Sequence, residues 1–63
     1  MSSITELARL VVELYPLRDK QAGKRYRVVR ELAGLTELEE VCGRPRYVQS
    51  ASLRDSRLWE QAH

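Results

Sequence analysis

Cys42 is the only cysteine in a chain of 63 residues, and this sets the terms on which the chain can fold. A domain of this size buries only about 60% of the surface its unfolded form exposes, so its margin of stability is thin. Small domains often make up that margin with disulfides, and one cysteine cannot form one within the chain. Apolar packing has to hold it. Hydrophobic residues make up 43% of the sequence, which is enough for a small core and too many for wholesale disorder. Phe is absent, so Tyr15, Tyr26, Tyr47 and Trp59 are the whole aromatic supply. These features predict one domain over residues 1–63, with dimerisation as a ready way to bury more surface. A lone thiol, no signal peptide and no apolar run near the ~18 residues of a membrane span predict a cytoplasmic protein with no membrane partner.

Hydrophobic spacing reads as four helical segments. Ser3-Ile4-Thr5-Glu6 has the form of a capping box. Behind it Ile4, Leu7, Ala8, Leu10, Val11, Leu14 and Tyr15 share one broad face, with Glu6, Arg9 and Glu13 on the other. Pro16 ends this helix at residue 14 or 15. A second helix is expected from about Asp19 to Ala33, with Ala22, Tyr26, Val29 and Ala33 aligned and Lys20, Lys24, Arg27 and Arg30 opposite. A strand over 25–30 competes, but Val28 and Val29 are adjacent and would face opposite sides of it. Gly34 follows as a left-handed C′ residue. Thr36-Glu37-Leu38-Glu39 reads as a second capping box, opening a short helix with Leu38, Val41 and Cys42 as its buried edge and Gly43 closing it. Pro45 suits the first position of a fourth helix. That helix runs from Arg46 to about Gln61 and carries an apolar face of Tyr47, Val48, Ala51, Leu58, Trp59 and Ala62. An alternative begins it at Ser52, with Asp55 completing the cap and 46–50 extended. The expected fold is therefore all-α, a compact three- or four-helix domain with a helix-turn-helix-like C-terminal half.

Charge is sorted along this chain. Residues 18–30 hold Arg18, Lys20, Lys24, Arg25, Arg27 and Arg30 against Asp19 alone, whereas 31–40 hold Glu31, Glu37, Glu39 and Glu40 and no base. A second basic block carries Arg44, Arg46, Arg54 and Arg57 against Asp55. The net charge of +2 conceals this pattern. Basic faces attract polyanions through phosphate contacts and counterion release. The same pattern also describes a solvated face paired internally with neighbouring acids. Arginine outnumbers lysine nine to two, which favours forked recognition of phosphate, guanine or carboxylate but also follows from a GC-rich genome.

The segment TELEEVCGRPRYVQSASL is similar to helix-turn-helix sequences, with Gly43 at the turn. It departs from them at Glu39, where alanine is usual, and at Val48, one residue early. The resemblance implies a recognition helix whose outer face carries Arg46 and Arg57 for guanine or phosphate and Gln49 for adenine. Ser50 would take either, and Leu53 a thymine methyl. Lys20, Lys24 and Arg27 would track the phosphate backbone. The corresponding function is a small dimeric transcriptional regulator, of phage or plasmid type, binding double-stranded DNA. The faces of the first and fourth helices would supply core and dimer contacts.

The rival expectation is a small protein-interaction module that binds and inhibits or adapts a larger protein partner, with Leu53 or Trp59 as an anchor. Tyr47 and Trp59 are read first as core or dimer interface. Enzymatic chemistry has little to stand on. His63 is terminal, Cys42 lacks a histidine and is read as packing, and the glycines are scattered as punctuation. No Cys/His cluster suits a metal, and no cofactor is implied.

Overall fold

The computed structural model describes residues 3–62, with Ser3 by its backbone only. The first helix forms as its pattern predicts. α1 spans Ser3–Leu14 and Pro16 stops it, with Tyr15 still donating its N–H to the Val11 carbonyl at 2.8 Å. The Ser3 side chain of the expected capping box lies outside the described residues.

Beyond Pro16 the all-α expectation fails. The rest of the described chain is a five-stranded antiparallel sheet with β1 Leu17–Asp19, β2 Arg25–Leu32, β3 Leu35–Glu40, β4 Pro45–Gln49 and β5 Trp59–Gln61. The strand order is β4-β3-β2-β1-β5, and a 3₁₀ turn over Ser50–Arg54 connects β4 to the far edge. There is no second helix over 19–33, no helix over 36–42 and no helix-turn-helix.

The reasons are local. The adjacent pair Val28 and Val29 breaks alternation because β2 carries a bulge there. Val28 pairs with Leu38 and Arg30 with Glu37, which leaves Val29 as the extra residue. Gly34 is left-handed (φ +80°), but together with Ala33 (φ +55°) it forms a two-residue hairpin between Leu32 and Leu35, where both central residues need positive φ. Thr36-Glu37-Leu38-Glu39 is an alternating strand, with Thr36 and Leu38 buried and the glutamates on the other face. Gly43 (φ +96°) closes a three-residue turn, its N–H bonded to the Glu40 carbonyl at 2.7 Å. Val41 and Cys42, expected on a buried edge, lie exposed in that turn. Pro45 begins an edge strand, where its missing N–H costs nothing. The expected helix over 46–61 does not form. Residues 45–49 are extended, close to the 46–50 of the later-start alternative, but Ser50 opens a 3₁₀ turn in which Ser52 Oγ donates to the Gln49 carbonyl, and no α-helix follows Ser52.

The sheet is strongly curled. Leu17, Tyr26, Leu38 and Trp59 form the buried core, with Val48, Leu53 and Leu58 packed against it. In a flat sheet β4 and β5, at opposite edges, would stand roughly 19 Å apart at about 4.8 Å per strand. Yet the Arg46 guanidinium of β4 lies 5.2 Å from the Trp59 ring of β5. The 3₁₀ turn spans this opening and lowers Leu53 onto the core. None of these core residues comes from α1.

Candidate functional site

The sorted charges become a cross-strand ladder. β2 is the basic block and β3 the acidic one, and antiparallel pairing sets them side by side. Arg27 Nε meets Glu39 Oε1 at 2.6 Å, Arg30 meets Glu37 at 3.0 Å, and Lys24 meets Glu40 at 3.3 Å. Arg27 opposite Glu39 and Arg30 opposite Glu37 are directly registered pairs. The hydrogen bond from Arg27 to Glu39 is the chief reason its guanidinium binds its proton more tightly than usual.

The proposed base readers are dispersed. Arg46 points inward, bonded to Asp19 Oδ2 at 2.7 Å and to the Tyr26 hydroxyl at 3.1 Å, over the Tyr26 and Trp59 rings. Ser50 shares a 2.6 Å hydrogen bond with Thr36, and Leu53 packs on the core. Gln49 is exposed at the end of β4. Arg57 is exposed and chelated by Asp55 at 3.0 Å, and that contact holds the Asp55 carboxyl below its ordinary range. Lys20 reaches the Ser56 carbonyl at 2.9 Å. Tyr47, read as core or interface, stands 65% exposed on the outer face, whereas Trp59 is buried. Among the described residues four bases have no acidic partner. Of these Lys20 and Arg25 bond carbonyls, leaving Arg44 and Arg54. No continuous basic face survives.

The Asp19–Arg46 pair has a structural task. Asp19 is buried, and its Oδ1 accepts from the N–H groups of Gln21 and Ala22 at 2.9 and 3.1 Å, shaping the β1–β2 turn. The hydrogen bond from Arg46 is the main cause of a lowered Asp19 pKa, working against desolvation. Asp19 Oδ1 accepts two hydrogen bonds and Oδ2 one, and among the described residues no buried side-chain polar atom lacks a partner. Among the described residues no group of His, Cys, Asp and Glu could hold a metal ion. His63 lies outside them.

The most exposed apolar feature is α1. Ile4 is 76% exposed, Leu7 60% and Leu14 62%, with Leu10 and Val12 also exposed. The helix is held at its C-terminal end, where Arg25 Nε donates to the Tyr15 carbonyl at 2.9 Å and a second guanidinium nitrogen to Pro16 at 3.4 Å. At that root a shallow groove of about 430 Å³ opens between helix and sheet, floored by Leu14, Pro16, Leu17, Val28 and Leu53 and rimmed by Glu13, Arg27 and Gln61. Sequence spacing found this apolar face but assigned part of it to the core. The molecule measures 45 × 23 × 19 Å. No described helix is long and apolar enough to cross a membrane. No protein-family model, curated protein or solved structure matches the chain.

Proposed function

We propose that this protein is a small protein-interaction module, a curled sheet that presents α1 as its binding element. The observation that carries the reading is the bare apolar face of α1. An isolated helix of about 12 residues is marginal in water, and a contiguous apolar stripe on a small domain calls for a covering surface. The sheet completes its core without this helix, which leaves the stripe available. A lipid surface suits the helix poorly, because its polar face carries Glu6, Arg9 and Glu13 where interfacial helices are rich in Lys and Arg. Nucleic acid suits the remainder poorly, since Lys24 before β2 and the β2 cations Arg27 and Arg30 are engaged by β3 acids.

Photo-crosslinking inside cells tests this directly. A photoreactive residue at Leu7 is expected to capture protein, while the same residue at Arg9, on the opposite face, captures little. Equal capture from both positions, or none from Leu7, would sink the reading. A fluorescent random-sequence DNA duplex supplies the counter-test. Only weak association is expected at low salt, whereas tight binding that falls steeply with added salt returns the chain to the nucleic-acid class.

A further inference from the structure

We infer that the surface covering α1 is the α1 of a second copy of this chain, packed antiparallel, so that the module is a two-fold dimer. The inference rests on the interaction reading and names its partner. Its basis is the symmetry of the stripe. Ile4, Leu7, Val11 and Leu14 follow a 3-4-3 spacing, the seam spacing of paired helices. Reversing the helix about its midpoint sends Ile4 onto Leu14, Leu7 onto Val11 and Ala8 onto Leu10. The four seam positions of one copy therefore meet apolar positions of the other, as an isologous interface requires.

Electrostatics selects the antiparallel orientation. Parallel helices would set two positive N-terminal ends together. Antiparallel packing places each N-terminal partial charge beside the opposite C-terminal one, while Glu6 and Glu13 lie away from the seam in both orientations. Arg9 lies on the far face in either case.

Area gives the second argument. A helix of 12 residues is about 18 Å long, which makes a short seam. Antiparallel packing extends it, because the Ile4 end of each helix arrives at Leu14 of the other, where the root groove begins. Ile4, Leu7, Leu10, Leu14 and the 55% exposed Val28 then share the interface. At on the order of 100 Å² of apolar surface per large aliphatic side chain, five supply roughly 500 Å² per copy. Two copies reach about 1,000 Å², the lower bound for a specific interface and the small end of the range for dimers.

Sedimentation equilibrium of the full chain is the primary test. The expected mass is twice the 7.3 kDa of the chain, and Leu7→Glu should raise the dimer dissociation constant more than about a hundredfold by burying a carboxylate in the seam. Circular dichroism of that variant must retain the sheet signal, and Arg9→Glu, on the far face, controls for charge alone. A monomer at several hundred micromolar, or a dimer indifferent to Leu7→Glu, overturns the inference. Orientation is read by disulfide trapping in a Cys42→Ser background. Leu7→Cys chains mixed with Val11→Cys chains should couple to each other faster than either couples to itself, and preferred self-coupling overturns the antiparallel arrangement. If the purified chain is monomeric while Leu7 crosslinks a different protein in cells, self-pairing fails and the module reading stands. If Leu7 captures nothing, both fail.

Discussion

At the scale of single residues, two positions show what this fold spends and what it gains. Ala33 occupies the left-handed region at φ +55°, where a Cβ costs roughly 1–2 kcal/mol, and it does so because the two-residue turn between β2 and β3 demands it. Ala33→Asn keeps the turn while easing that strain, and it should raise unfolding free energy by about 0.5–1 kcal/mol in a urea titration. No gain would mean that the turn is not the constraint the backbone shows. Asp19 works in the other direction. Arg46 and two turn N–H groups favour its ionised form, so its folded pKa is depressed below the unfolded value of roughly 3.9. The stabilisation is therefore fully present above about pH 4 and is lost as pH falls through the lower folded value. Asp19→Asn should cost about 1–3 kcal/mol at neutral pH, since it leaves Arg46 without its counterion. The same variant should flatten the acid limb of the stability–pH curve, and an unchanged acid limb would remove Asp19 from that role.

At the scale of elements, the block pattern of charge was the most conspicuous message in the sequence, and its meaning is cross-strand pairing. Arg27 and Arg30 stand opposite Glu39 and Glu37, so a basic strand finds its register against an acidic one. Reversing β3 with Glu37→Lys and Glu39→Lys should lower the thermal midpoint by placing like charges opposite one another. Adding Arg27→Glu and Arg30→Glu to the same chain should recover most of the loss. A quadruple variant no more stable than the double would show that the pairs are incidental. This ladder also explains which parts of the fold were legible. α1 was readable because helix spacing, a cap pattern and a following proline all agree. β3 was readable in principle, since Thr36, Leu38 and Glu40 alternate with Glu37 and Glu39, but Thr-x-x-Glu also imitates a helix cap, and that local signal won. β2 was obscured by a bulge that spoils strict alternation at Val28–Val29. Ala33-Gly34 was obscured because alanine is an unusual occupant of a hairpin turn. Arg46 reads from the sequence as a DNA-facing side chain on a helix; its partner Asp19 lies 27 residues away, and only the curl of the sheet brings the two together. The apolar face of α1 was visible as amphipathicity. Its exposure was not, because the sequence does not reveal that the sheet closes its core alone.

At the scale of the whole molecule, the arrangement separates a sheet that buries its own core from a helix whose apolar face is left exposed. Leu17, Tyr26, Leu38 and Trp59 bury one another, and Leu53 and Leu58 close over them from the β4–β5 connection. α1 adds no residue to that cluster and is tied to the sheet through Arg25. This division makes opposite predictions for two changes of very different size. Leu38→Ala alters one side chain, yet it opens a cavity at the only fully buried large side chain among the described residues. A cost of about 2–5 kcal/mol is expected, comparable to the total stability of so small a domain, so the variant should be largely unfolded at 25 °C. Removing residues 1–15 deletes a whole element and should leave a cooperatively melting sheet, because the core keeps every member. That truncated chain should run as a monomer, and its melting temperature should no longer depend on concentration, whereas the full chain melts higher as concentration rises because dimerisation favours the folded state. Calorimetry of both chains over a hundredfold range of concentration separates the possibilities. Collapse of the sheet on truncation would mean that α1 is part of the folding unit. Persistence of the concentration dependence in the truncated chain would place the self-contact on the sheet and not on the helix.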